Sequence, residues 1–266
     1  MDPPPPNPAD EVHGWLKLPR DMTASFMVRL GAIHVLKSAQ MVCSSWHNVC
    51  KEPSTWHAID MRNSGWEEMS PELQKMCQDA VNRSCGLLVD INVEYFGTDE
   101  LLMHIADKSP KLKRLRVVHC CGISDEGLSQ AAAKLPLLEE LSISYYPLTK
   151  KALKAVGRCC PRLKSLKFNT QTQKRYEEYD EEALAIAKNM SELRHLQLVG
   201  NRLTNDGLQA ILDGCPHLES LDIRQCFNLT LAGDLGRRCA QQIKHLRLPG
   251  DSIADHEFII WWDYGI

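Results

Sequence analysis

Apolar residues recur along this chain with two periods, and the change between them falls near residue 88. From there on the spacing Leu-x-x-Leu/Ile-x-Leu/Ile/Val occurs seven times, at Leu88-Ile91-Val93, Leu112-Leu115-Val117, Leu138-Leu141-Ile143, Leu163-Leu166-Phe168, Leu193-Leu196-Leu198, Leu218-Leu221-Ile223 and Ile243-Leu246-Leu248. First positions of successive copies lie 24, 26, 25, 30, 25 and 25 residues apart. A period of that length means one supersecondary unit per copy, stacked on its neighbours. Each triplet predicts a short strand with its apolar side chains on one face. Each second half predicts a helix: Thr98, Ser124, Thr149, Asp180 and Thr204 stand four residues before Leu102, Leu128, Leu153, Leu184 and Leu208, where a side-chain oxygen can accept the orphan amide hydrogens of a first turn. The sixth copy keeps Thr230 but has Asp234 in place of the leucine, which predicts a shifted or frayed helix.

Spacing and length together are those of leucine-rich repeats. The expected fold is α/β: an N-terminal helical piece, then a right-handed leucine-rich-repeat solenoid of about seven repeats, with a concave parallel sheet and convex helices, over residues 87–253. Upstream, residues 1–14 form a proline-rich leader that cannot bury enough to order itself. Over 15–60, Leu18 and Pro19 open a helix in which Met22, Phe26 and Leu30 recur every fourth residue until Gly31. A second series, Ile33, Leu36, Ala39, Val42, Cys43, Trp46 and Val49, continues to Pro53, with Trp56 beyond. Two or three helices of this size are marginal alone and carry more apolar positions than a helix pair can cover. Over 61–86, Leu73, Met76, Cys77 and Ala80 predict a linking helix that caps the first repeat, since a solenoid end exposes apolar surface. The stretch 254–266, with Phe258, Ile259, Ile260, Trp261, Trp262 and Tyr264, is a tail or a second cap.

Composition adds exclusions. A net charge of -3 over 266 residues gives no global reason to bind nucleic acid or an anionic membrane. No apolar run approaches the roughly 20 residues that span a bilayer, and no signal peptide precedes the first helix. The eleven cysteines are odd in number and form no CxxC pair, which favours reduced thiols inside a cell, nuclear or cytoplasmic. His119-Cys120-Cys121, Cys159-Cys160 and Cys215 invite a nucleophile or metal reading. However, Cys120 and Cys226 follow the third triplet position by three residues, where these repeats point an Asn or Cys inward, and Asn201 holds the same slot. The thiols read as buried and inert. No His-Glu metal motif, glycine-rich phosphate loop or Gly-x-Ser-x-Gly is present, so neither an enzyme nor a cofactor or metal is expected.

Strand residues that alternate with the core positions line the concave face, and that face is where repeat proteins bind. Arg114, Arg116, Glu140, Lys167, His195, Asp222, Arg224 and Arg247 are the candidate contacts there. Its mixed charge suits a protein partner better than a nucleic acid. The long fourth copy inserts Gln171 to Tyr179 where strand leaves for helix, and Tyr176 and Tyr179 join the candidates.

Leu18-Pro19, then Val42-Cys43-Ser44-Ser45-Trp46, then Pro53-Ser54-Thr55-Trp56 resemble an F-box. With the repeats, the resemblance covers Trp15 to about Leu248 and is to F-box/leucine-rich-repeat proteins, a plant subgroup of Skp-interacting partners in particular. It implies a substrate-recognition subunit of an SCF-type E3 ubiquitin ligase. Leu18, Pro19, Met22, Leu30, Val42, Cys43 and Trp46 would then meet a Skp-type adaptor, or form the core directly beneath it. A cullin joins through that adaptor, and the repeats hold a protein substrate. The family's acidic residue after Leu-Pro is displaced, with Arg20 first and Asp21 second. The competing reading is a repeat scaffold acting outside any ligase.

Overall fold

The computed structural model describes residues 18–63, 71–145, 148–170 and 179–255. Trp15, the leader, Tyr176 with most of the insertion, and the aromatic tail from Phe258 lie outside them. The chain divides into two compact units, residues 1–127 and 128–266.

In the first unit the helical piece is made of short segments. Helix α1 (Arg20–Leu30) starts from Pro19, whose missing amide hydrogen costs nothing at a helix start. It breaks at Gly31 before α2 (Ala32–Lys37). A 3-10 turn (Ala39–Met41), α3 (Ser44–Val49) and a second 3-10 turn (Pro53–Trp56) follow. The single apolar series expected from Ile33 to Val49 is thus three pieces. The face α1 buries is Thr23 and Met27, while Met22 of the expected stripe is exposed and Phe26 and Leu30 are half-buried. The inward residues Met27, Val35, Leu36, Ala39, Val49 and Trp56 form a closed core. Two hydrogen bonds fix the turn: the Trp56 indole donates to the Cys50 carbonyl at 2.8 Å and the Thr55 hydroxyl to that of Val49 at 2.8 Å.

An eighth strand precedes the seven expected. Strand β1 (Ala58–Met61) pairs in parallel with β2 (Asp90–Glu94), which pairs with β3 (Arg114–Val118). Trp56, Ile59 and Met61, all at most 2% exposed, repeat the triplet spacing in a stretch the sequence reading gave to helices. Helices α1 and α2 pack on β1, and α2 also packs on α4 (Pro71–Arg83). Helix α4 is the expected linking helix and buries Leu73, Cys77, Ala80 and Val81. Helix α5 (Asp99–Lys108) lies between β2 and β3, and the boundary between units falls inside α6 (Asp125–Ala132).

The second unit carries β4 (Glu140–Ser144), α7 (Lys150–Cys159), β5 (Ser165–Asn169), α8 (Glu181–Asn189), β6 (His195–Gln197), α9 (Asn205–Gly214), β7 (Ser220–Asp222), α10 (Asp234–Gln242) and β8 (His245–Arg247). Its strands pair in parallel in chain order. Strands β5 and β6 keep register, Ser165 opposite His195 and Lys167 opposite Gln197, although the insertion separates them. The first six triplets are buried. In the seventh, Ile243 is buried, Leu246 is half-buried and Leu248 is 42% exposed.

Four of the five expected caps form: Thr98, Ser124, Thr149 and Thr204 each accept a backbone N–H of the following turn. Asp180 does not cap its own helix. Its carboxylate instead accepts the backbone N–H and the hydroxyl of Thr204 in the next repeat, both at 2.7 Å. Asp99 holds Ser124 in the same way, at 2.7 and 2.6 Å. The carboxylate sits so close to the next helix that a Cβ on Gly127 would come within 1.8 Å of Asp99 Oδ1, and one on Gly207 within 2.1 Å of Asp180 Oδ1. The sixth helix is shifted, as its missing leucine implied: α10 begins at Asp234, four residues after Thr230.

Candidate functional site

Two surfaces carry the residues singled out from sequence. On the first, the Phe26 and Trp46 rings meet at 5.6 Å and 57°, joining α1 to α3. Met22, 58% exposed, lies one helical turn before Phe26, and Val42, also 58% exposed, lies four residues before Trp46. Leu18, Leu30, Cys43 and Trp46 are half-buried and Pro19 is exposed. The Trp46 indole N–H has no acceptor among the described residues. Cys43 caps α3, its sulfur 3.5 Å from the Trp46 amide nitrogen. Sequence reasoning missed Met41, at 72% the most exposed large apolar residue described. Its signal was weak, since it falls off the helical period in a 3-10 turn. Arg20, in the place of the family's acidic residue, forms an ion pair with Glu52. This surface therefore exposes apolar area, over a buried and unpaired indole N–H, on a unit whose inner side is already filled.

The second surface is the set of strand residues opposite the core. In the first unit it is a polar network. Arg114 Nε donates to Asp90 at 2.8 Å, Arg116 stands 3.7 Å from Glu94, and Arg62 grips Asp60 with two nitrogens. Asn92 bridges Asp60 and Glu94 at 3.3 and 3.0 Å. Burial pushes the Glu94 carboxyl up, against the lowering effects of Asn92 and Arg116.

In the second unit, Glu140 and His195 are exposed and Lys167 is half-buried. Asp222 and Arg224, expected as contacts, are instead 9% and 4% exposed. Arg224 grips the Asp222 carboxylate through Nε at 3.0 Å and Nη2 at 2.7 Å, and its Nη1 reaches the Ser252 carbonyl at 2.7 Å and the Asp255 carboxylate. The reason is local: a planar guanidinium two residues past the carboxylate that ends β7 satisfies it bidentately before any partner arrives. Arg247 is exposed and shares Asp255 at 2.8 Å. Tyr179 is likewise engaged. Its hydroxyl donates to Glu181 at 2.6 Å, which pushes its pKa up to about 12, and Arg202 lies 5.5 Å over its ring.

Beside Tyr179, burial pushes the Glu182 carboxyl up to about 7, partly offset by its own backbone amide and Arg202. A folded-state pKa above the unfolded value favours folding below the unfolded value, and that favour is lost as pH rises through about 7. Glu182→Gln is therefore expected to leave stability at about pH 4 nearly unchanged and to raise it at about pH 8 by on the order of 2 kcal/mol, read from chemical denaturation at both pH values.

The inward slot behaves as the repeat spacing requires. Cys120 and Cys226 are buried, and so is Asn201. The Cys120 thiol donates to the Val118 and Val93 carbonyls at 3.3 and 3.5 Å, and burial pushes its pKa up to about 11. Cys160 and Cys215 are buried with raised pKa values of about 12 and 11, whereas Cys121 is exposed and Cys159 half-buried. A thiol reagent is expected to modify Cys85 and Cys121 quickly in the folded chain and Cys120 only on unfolding. Mass-spectrometric mapping checks this, and fast labelling of Cys120 would contradict the slot.

Known proteins resemble this chain in its repeats and over most of its length. The family described as Leucine Rich repeat matches residues 108–130 and 190–212. From Arabidopsis thaliana, "Putative F-box/LRR-repeat protein 23" is 50% identical over 91% of this chain, which spans 55% of that protein's length. "F-box protein SKIP19" is 50% identical, covering 92% of this chain and 80% of its own. "Putative F-box protein At4g05475" is 44% identical, covering 92% and 82%. With relatives this similar over nine-tenths of its length, the chain belongs to the F-box/leucine-rich-repeat family.

Proposed function

We propose that this chain is the substrate-recognition subunit of an SCF-type E3 ubiquitin ligase, working inside the cell. Its F-box docks on a Skp-type adaptor, which links it to a cullin, and its repeats hold a protein substrate. The observation that carries the reading is the exposure of Met22, Met41 and Val42, which lie on or next to the short helical segments that carry the Phe26–Trp46 pair. Apolar area of this kind costs about 25 cal/mol per Å² while it faces water, a cost removed when a partner covers it. The names of the relatives support the same assignment.

The chain performs no bond chemistry in this reading. It holds a substrate lysine near a conjugating enzyme that carries ubiquitin as a thioester, so the rate follows from effective concentration and orientation. Strand residues that stay accessible, Arg114, Glu140, Lys167, His195 and Arg247, are the proposed substrate contacts, together with the insertion around Tyr176. Asp222, Arg224 and Tyr179 hold neighbouring chain in place.

Co-expression with a Skp-type adaptor and size-exclusion chromatography tests the adaptor half. A one-to-one complex is expected. A well-folded chain eluting alone would favour a repeat scaffold outside any ligase.

A further inference from the structure

Residues 141–170 contain seven Lys or Arg and no Asp or Glu, in a chain whose net charge is -3. Lys150 spends its charge on an ion pair with Glu181, which also draws on Lys154. Arg158, Arg162, Lys164 and Lys167 have no side-chain hydrogen bond or ion pair among the described residues. Arg158 stands in the last turn of α7, Arg162 in the turn that follows, Lys164 just before β5 and Lys167 within it. The first three are exposed and Lys167 is half-buried. They follow one another across the junction of two repeats, Arg158 and Arg162 closing the third copy and Lys164 and Lys167 opening the fourth.

The strand partners of Lys167 are neutral, Ser142 on one side and Gln197 on the other. The Lys164 amide bonds to the Glu139 carbonyl, so Glu139 and Glu140 bound the patch on one side, and Glu192 bounds it at the next repeat. Elsewhere on this unit, cations at matching positions are neutralised: Arg194 and Lys244 both pair with Glu219. Four charges unpaired among the described residues, at the junction of two repeats, raise the local potential where a chain of overall negative charge would otherwise repel an acidic partner.

We infer that this edge, formed by Arg158, Arg162, Lys164 and Lys167, docks an extended Asp/Glu-rich segment of a protein partner. The inference rests on the substrate-receptor reading and supplies the chemical class of the substrate. A staggered row of single charges along a helix end, a turn and a strand matches successive carboxylates on an extended segment. A lone phosphate would instead want guanidinium groups converging on one point. A single-stranded nucleic acid would want aromatic platforms between the charges, and the row has none.

The test uses the full chain in complex with its Skp-type adaptor and a labelled oligo-glutamate peptide, read by fluorescence anisotropy. Binding is expected to weaken with added salt and to fall about tenfold or more in the Arg158→Gln, Arg162→Gln, Lys164→Gln variant. Retention of the adaptor complex by that variant on size exclusion separates this inference from the adaptor assignment. If the variant does not fold, Lys164→Glu alone is read against wild type in the same assay, with the same direction expected. No peptide binding by wild type, equal binding by the variant, or tighter binding of a single-stranded oligonucleotide of the same charge would each overturn it.

Discussion

Truncating Met22, Val42 and Trp46 together to alanine is expected to weaken the complex with a Skp-type adaptor by about 100-fold or more, a loss of roughly 3 kcal/mol or more. Two of the three side chains are more than half exposed in the chain alone, so their removal subtracts interface and little core. Trp46 is different: its ring leans on Phe26, and its indole N–H lacks an acceptor. Truncating Trp46 also loosens the Phe26 contact, so Met41→Glu with Val42→Glu serves as the second variant. Both sites are exposed, so helix content by circular dichroism should not change while binding falls steeply. Wild-type affinity in this pair would place the adaptor elsewhere.

Arg224→Ala is expected to destabilise the second unit by about 3 kcal/mol. The loss is larger than its hydrogen bonds alone would suggest, because Asp222, 9% exposed, would keep its charge with its partner gone. Asp255 would also lose the guanidinium that holds its carboxyl below the usual range. Arg247→Ala touches the same Asp255 from an exposed position and should cost less than about 1 kcal/mol. Urea denaturation of the two variants separates a buried clamp from a surface pair. Equal small losses would return Arg224 to the list of substrate contacts.

These two cases also show what a single sequence can and cannot carry. The repeat triplets were legible because seven copies state the same periodicity, and the inward Cys120, Asn201 and Cys226 follow from that frame. Strand β1 was hidden by its neighbours. Trp56, Ile59 and Met61 have the triplet spacing, but they follow helical sequence and stand 32 residues ahead of Leu88. Asp180 sits at a cap position with a capping side chain, yet the next repeat offers it two donors at once, a competition visible only in three dimensions.

The functional surfaces divide along the same line. Alternation along a strand tells which face a residue is on, but pairing on that face decides whether it remains available. Alternation assigned Asp222 and Arg224 to one face, although β7 ends at Asp222. Their mutual grip, with Asp255 and Ser252 added, took them out of solvent. On the helical piece, the residues Met22 and Val42 were found from the family pattern, while Met41 had no periodic neighbour to announce it. Of the four cations at the junction of the third and fourth repeats only Lys167 was singled out, because a near-neutral total conceals a local excess.

Hydrogen exchange of the full chain, alone and with an equimolar Skp-type adaptor, tests the adaptor assignment most directly. The account predicts that amide protection rises within residues 20–49 and leaves the strands from β4 to β8 unchanged. Protection appearing on those strands, with none in residues 20–49, would contradict it.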